Sequence, residues 1–342
     1  DFARRFDPAM AQIARAETSS AETPEVLAFE RVAQISPRLR IAILFRPRYM
    51  PGPSRAHDFG HRLGSALSSA GVACQVLPAD IDPSEIGPCD LVFVDEDAVF
   101  PKAPERKQAH LDKLRRAVRR MGLLVLDPWG KGFVERMALG AERYDFIWAM
   151  APTLPRAVGI DARKFCLIPF PTGFGALLDE IAARAPSVDF GFFGTIEDYN
   201  HHRYFWLLSE LARAGGLRVG LTHHRADDLG IEASLKLYLG RLLDSAACLS
   251  LTMRSTGDRI LVGRTFDVLR GGRLLVQEYA PDARLYLKPG EDFIEVLSAD
   301  ELPAVSEAIR AGRYERIRAQ GAETFRQAYS DEAVARHLAT WV

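Results

Sequence analysis

The stretch Val262-Gly-Arg-Thr-Phe-Asp-Val-Leu-Arg-Gly-Gly-Arg-Leu-Leu-Val-Gln-Glu278 reads as a helix, a glycine turn and a buried strand in immediate succession. Phe266 and Leu269 stand three apart, as one helical face requires. Gly271 and Gly272 stop the helix. Leu274, Leu275 and Val276 form an apolar run too short for a helix and suited to a strand covered on both faces. A helix opening near Arg264 and Thr265 turns unpaired backbone N–H groups and a partial positive charge outward, and Arg264 adds a planar, permanently charged fork. Asp267, one turn in, can accept hydrogen bonds from a ribose hydroxyl pair. Arg264, Thr265 and Asp267 are therefore a candidate site for a nucleoside diphosphate. The alternative is that Arg264 and Asp267 are an exposed i, i+3 pair and the glycines only a cap.

The same alternation of short apolar runs and helical segments extends in both directions. On the amino-terminal side, strands are expected over 39–45, 72–77, 89–94, 123–126, 145–149 and 164–168, with helices over 60–70 and about 105–121. Nearer the opening stretch, strands are expected over 188–193, 217–222 and 247–251, with helices over 203–214 and 235–244. Beyond it come a strand over 293–297 and two closing helices, about 300–311 and 313–341. Repeated β-α alternation predicts a mostly parallel sheet with helices on both faces. Pro169, Pro171, Gly173 and Gly175 interrupt the series once, where a linker belongs. The fold expected is α/β, with two tandem doubly wound Rossmann-like domains and a cleft between them. Residues 1–36 form an amino-terminal helical extension, 37–175 the first domain, and 176–342 the second domain with its closing helices.

Composition narrows the function classes. The chain has 342 residues, 48% of them hydrophobic and 26% charged, which suits a soluble globular protein with two cores. A formal charge of -1 gives no general attraction to nucleic acid, so no nucleic-acid partner is expected. Cys74, Cys89, Cys166 and Cys248 form no C-x-x-C pair and argue against a zinc or disulfide framework. No apolar run approaches a membrane span and the first residues do not read as a signal peptide, which makes the cytoplasm the expected compartment.

A strand, glycine turn and helix opening the second domain, with an R-x-F-acid-x-x-x-G-G element late in it, resembles the GT-B glycosyltransferases, closest the group 1 enzymes of the CgeB-like (spore maturation) type. The residues that carry the resemblance are Phe192-Phe-Gly-Thr195, Ala247-Cys-Leu-Ser-Leu251, Arg264 through Val276, and the closing helices. It implies a nucleotide-sugar donor on the second domain and a hydroxyl acceptor on the first. Gly194 and Thr195 would lie against the donor, Arg264 and Thr265 would hold its diphosphate, and Asp267 would contact the ribose. The family usually has Glu at the position of Asp267, and many of its retaining enzymes carry an acid where this chain has Arg259. Arg254, Arg259 and Arg264 could form a basic lip over the leaving diphosphate, work that a metal ion does elsewhere. No metal or other cofactor is therefore expected. Arg203 and the histidine pairs His201-His202 and His223-His224 follow second-domain strands; Arg203 and His223 complete the donor-side candidates.

An inverting reaction needs a base for the acceptor hydroxyl, and His57, Asp58 and Asp127, each after a first-domain strand, are the candidates. The acceptor class stays open among glycan, lipid-linked and protein hydroxyls. Peripheral membrane contact rests on the helix over 102–120, where Leu111, Leu114, Val118 and Met121 share a face ringed by Lys113, Arg115, Arg116, Arg119 and Arg120. Competing readings are a nucleotide-sugar epimerase of the same fold, a degenerate binding member, and a metal-dependent GT-A transferase using Asp95 and Asp97. A nicotinamide-binding domain is disfavoured because neither first strand leads into G-x-G-x-x-G.

Overall fold

The computed structural model describes residues 39–45, 59–95, 103–125, 140–151, 158–167, 171–193, 199–214, 219–222, 231–252 and 259–339, with the single residues 99, 137, 154 and 169. His57, Asp58, Asp97, Asp127, Gly194, Thr195, His223, Arg254 and the expected extension 1–36 lie outside them. Among the described residues the chain divides into two compact units, one of 39–175 with 328–339, the other of 176–327.

The first unit runs β1 (Arg40–Leu44), α1 (Phe59–Ser69), β2 (Ala73–Leu77), β3 (Leu91–Val94), α2 (Pro104–Ala117), β4 (Met121–Val125), β5 (Phe146–Ala149) and β6 (Phe165–Cys166). Its strands make a parallel sheet in the order β2-β1-β3-β4-β5-β6. Ile41, Ala42, Ile43 and Leu44 on β1, and all of β3, are buried, as strands covered on both faces must be. Gly122 stands mid-strand because its neighbours need the space. Phe93 and Phe146 pair with it on either side and meet edge to face at 5.4 Å, and a Cβ there would lie 2.9 Å from both rings.

Helix α2 corrects one expectation. It ends at Ala117, Val118 is already extended, and Met121 opens β4 instead of continuing the helix. Its Leu111 and Leu114 are buried in the core under the sheet, and charges on it and beside it meet carboxylates of the same unit. Lys113 pairs with Asp82 at 2.6 Å, Arg115 with Asp145 at 3.2 Å, and Arg143 with Asp112 at 3.4 Å. The apolar stripe on which the membrane alternative rests is spent on the core. Among the described residues no helix is long and apolar enough to cross a membrane.

The second unit runs α3 (Gly175–Ala182), β7 (Val188–Phe193), α4 (Tyr199–Ala214), β8 (Val219–Thr222), α5 (Ile231–Leu242), β9 (Ser245–Ser250), α6 (Arg264–Arg270), β10 (Leu274–Glu278), β11 (Ile294–Val296), α7 (Leu302–Arg310) and α8 (Glu315–Thr324). Its sheet is parallel, in the order β11-β10-β9-β7-β8. With period two, Phe190, Phe192, Ala247, Leu249, Leu274 and Val276 face the core shared with α4 and α7. The alternate residues face α5 and α6. Arg273, at the start of β10, gathers loose helix ends: its Nε donates to Leu243 O at 2.8 Å, and its Nη2 to Ala182 O at 3.2 Å and Arg184 O at 2.7 Å. A guanidinium there satisfies carbonyls that the ends of α3 and α5 leave unpaired and meets their negative dipole ends.

The expected single helix over 313–341 is broken. After α8, Phe325–Tyr329 forms one turn of wider π-type helix, and α9 (Asp331–Ala339) packs on α1. The last segment therefore belongs with the first unit and not, as expected, with the second. Asp331 Oδ1 accepts the Gly173 N–H at 3.3 Å, while Ser65 Oγ accepts the Phe174 N–H at 3.0 Å.

Burial lowers the pKa of His337 on α9 below its ordinary 6.5, and burial likewise lowers that of His110 on α2. A base with a lowered folded-state value binds more protons when unfolded, so stability is full above about pH 6.5 and is lost as pH falls towards the folded values. Urea unfolding is expected to show the first unit less stable at about pH 5.5 than at about pH 7.5, with a smaller difference in His337→Gln. An undiminished difference in that variant would remove His337 from the account.

Candidate functional site

In each sheet the strand order reverses at one point, between β1 and β3 in the first unit and between β7 and β9 in the second. Connections leave such a point in opposite directions, so the carboxyl ends of its two strands flank a crevice where ligands of open parallel sheets bind. In the second unit that crevice is edged by Phe193, by Ser250 to Thr252, and by the start of α6. In the first it is edged by Asp95, whose N–H bonds to Leu44 O at 3.1 Å.

Helix α6 has the bounds expected from sequence, but its first turn is tighter than expected. Gly263 is already helical, and the N–H groups of Thr265, Phe266 and Asp267 bond to Val262 O at 3.0 Å and to Gly263 O at 3.0 and 3.2 Å. These N–H groups are satisfied within the chain. Thr265 and Asp267 are 0% exposed. Thr265 Oγ1 donates to Gln277 Oε1 at 2.5 Å, and the Tyr238 hydroxyl of α5 donates to Asp267 Oδ2 at 3.1 Å. Both side chains, expected to face a ligand, instead fasten α6 to β10 and α5 in this conformation. Arg264 is only partly covered, with its guanidinium carbon 5.0 Å from the centre of the Phe192 ring. That contact holds a planar cation at the crevice.

Arg259 is the second half-buried cation. Its Nη1 donates to Tyr279 O at 3.3 Å, and its guanidinium carbon lies 5.2 Å from the Tyr279 ring centre. Arg284 shares that ring at 5.1 Å but spends its charge on Glu295, which raises its pKa. Among the described residues Arg259 has no carboxylate partner. Arg203, expected on the donor side, pairs with Asp300 and ties α4 to the turn before α7. His202 is exposed on α4.

Sequence reasoning missed a buried polar set at the same strand ends. Glu278, 2% exposed, accepts the Thr252 N–H at 2.9 Å on Oε2 and faces the Tyr204 hydroxyl at 3.5 Å on Oε1. The available signal is an acid two residues beyond the apolar run Leu274–Val276, where the sequence pattern marks only a strand end. Burial pushes the Cys74 and Cys248 thiols up to about 12, which leaves neither a thiolate nucleophile near neutral pH. Among the described residues no three His, Cys, Asp or Glu side chains gather closely enough to hold a metal ion.

No protein-family model matches the chain, and no curated protein matches it in sequence. Solved structures do match. HepE of Anabaena in complex with UDP-glucose has a TM-score of 0.56 at 12% identity, with 89% of this chain and 99% of that one covered. A glycosyltransferase from Rickettsia africae has a TM-score of 0.58 at 10% identity, covering 89% and 98%. AviGT4, a glycosyltransferase involved in avilamycin A biosynthesis, has a TM-score of 0.56 at 11% identity, covering 89% and 96%. The likeness establishes the fold: the chain has the two-unit GT-B architecture.

Proposed function

We propose that the chain is a glycosyltransferase of the group 1, CgeB-like type, which moves a sugar from a nucleotide-sugar donor to a hydroxyl acceptor without a metal ion. The observation that carries this reading is Arg264, a planar cation held over Phe192 at the reversal point of the second sheet. A diphosphate leaving group gathers charge as the glycosidic bond breaks, and fixed cations at that point stabilise it. Arg259, and Arg254 in the segment between, would share the work. The fold supports the reading, since the matching structures include HepE in complex with UDP-glucose and AviGT4, a glycosyltransferase.

Gly194 and Thr195 remain proposed donor contacts. Thr265 and Asp267 contribute by fixing α6, and a ribose contact from Asp267 would require it to leave Tyr238. The acceptor base is proposed among His57, Asp58 and Asp127. The GT-A alternative loses ground because its single-domain architecture differs from the fold found.

The test is calorimetric titration of the wild type with a panel of nucleoside diphosphates, UDP first, without added metal and then with magnesium. Binding of one nucleotide at micromolar or better affinity without metal is expected. Binding that appears only with magnesium would overturn metal independence, and no binding at all would overturn the donor site.

A further inference from the structure

We propose that the second unit carries a further anion site, a cleft at the amino ends of β9 and β10 that takes a phosphate group on Arg273 and Arg318. The inference does not rest on the glycosyltransferase reading.

The cleft measures about 310 Å³, and its charged lining is Arg273, Glu315 and Arg318. Strands β9 and β10 are parallel and reach it with Ala246 and Leu274. It therefore lies at the opposite edge of the sheet from the reversal-point crevice, which opens at the carboxyl ends. A ligand in one does not exclude a ligand in the other.

Two guanidinium groups meet there around one peptide unit. Arg273 is half-buried at the start of β10, and its Nε and Nη2 are used by the carbonyls of Leu243, Ala182 and Arg184. Those acceptors are neutral, and among the described residues Nη1 makes no hydrogen bond and no carboxylate bonds to the group. Burial lowers the pKa of Arg273, and the nearby charge of Arg318 lowers it further, outweighing the carboxylate of Asp244. A guanidinium still stays protonated near neutral pH, so the cleft holds two like charges. Arg318 Nη1 donates to Gly272 O at 3.0 Å, the carbonyl of the residue before Arg273. Its Nε and Nη2 meet Glu315 Oε2 at 2.9 and 2.8 Å. Glu315 is the only acid among the described residues that line the cleft, and it offsets one of the two charges.

The rim adds to the positive field. Residues 307–318 hold four arginines against two glutamates, and Arg310 and Arg316, both exposed, form no ion pair among the described residues. Such cations draw anions toward the opening. A carboxylate presents its two oxygens along one edge, which suits a single guanidinium fork. A tetrahedral phosphate turns its oxygens in several directions and can accept from two guanidinium groups at once.

The experiment is calorimetric titration with inorganic phosphate and with glycerol phosphate, at an ionic strength fixed with sodium chloride. It uses the Arg264→Ala protein as parent, so that phosphate held by Arg264 is not counted. Saturable binding at millimolar or better affinity is expected. Adding Arg318→Gln should weaken it about tenfold or more, the loss of a charge-assisted hydrogen bond. Adding Glu315→Gln instead should tighten it about two- to fivefold, because the exposed carboxylate that competes for Arg318 is gone. The opposite signs separate a ligand contact from a general loosening of α8, which would weaken binding in both variants. Tighter binding of glycerol phosphate assigns the site to a phosphate monoester, and tighter binding of inorganic phosphate to the free ion. The proposal is overturned by no saturable binding in the parent, by unchanged affinity in Arg318→Gln, by weaker binding in Glu315→Gln, or by acetate binding as tightly as phosphate. None of these results bears on the donor site, whose cation the parent lacks.

Discussion

Arg264→Ala is expected to weaken nucleoside diphosphate binding by about 10- to 150-fold, since a charge-assisted hydrogen bond to phosphate contributes about 1.5–3 kcal/mol. In the folded protein Arg264 lies over Phe192 at 5.0 Å, a contact that contributes about 0.5–1 kcal/mol at a partly exposed site. The measurement that isolates the diphosphate contact is affinity at a temperature well below the unfolding midpoint of both proteins. Arg264→Lys is not expected to restore binding, because an ammonium has neither the planar fork nor the same stacking on an aromatic face. Rising salt should erode wild-type affinity more than that of the variant. Equal affinities for wild type and Arg264→Ala would place the diphosphate elsewhere.

The largest stability effect is expected at Gly173. Its φ of 63° lies in the left-handed region, and a Cβ there would stand 2.3 Å from the backbone oxygen of Arg62 on α1. The neighbourhood cannot give way easily. Arg62 Nε donates to Thr172 O at 2.7 Å, the Gly173 N–H is held by Asp331 of α9, and Phe174 is itself left-handed at φ 51° with its N–H on Ser65. Gly173→Ala is expected to cost the first unit at least about 3 kcal/mol, combining the backbone penalty with a backbone clash. Gly159→Ala provides the control: φ is 68°, nothing among the described residues lies within 4 Å of its Cβ, and the cost should be near 1 kcal/mol. Urea midpoints that rank the two variants equally would mean that the approach of residues 172–174 to α1 is not a fixed feature of the fold.

Legibility from sequence followed the range of the forces involved. The bounds of α6 and β7 were readable to the residue, because a helix stopped by paired glycines and a short apolar strand are set by neighbours in the chain. The break at Phe325–Tyr329 was not readable, since the closing segment has no proline or glycine pair there and turns to dock α9 on α1. Val118 and Met121 continued a helical period by coincidence, and the demand of the sheet for β4 overrode it.

The candidate site divides along the same line. The sequence by itself determined that a basic helix start follows a second-unit strand, and hence that Arg264 would stand at a strand end, because β-α order and charge are local properties. Only the tertiary structure decided that Thr265 and Asp267 are sealed against Gln277 and Tyr238, and that Arg203 is drawn to Asp300. Among the described residues, tertiary packing likewise set Arg259 beside Tyr279 without a carboxylate partner, and it set Glu278 on the Thr252 N–H. Burial and partner choice depend on which distant side chain reaches a given face first, and a linear pattern of residues does not carry that information.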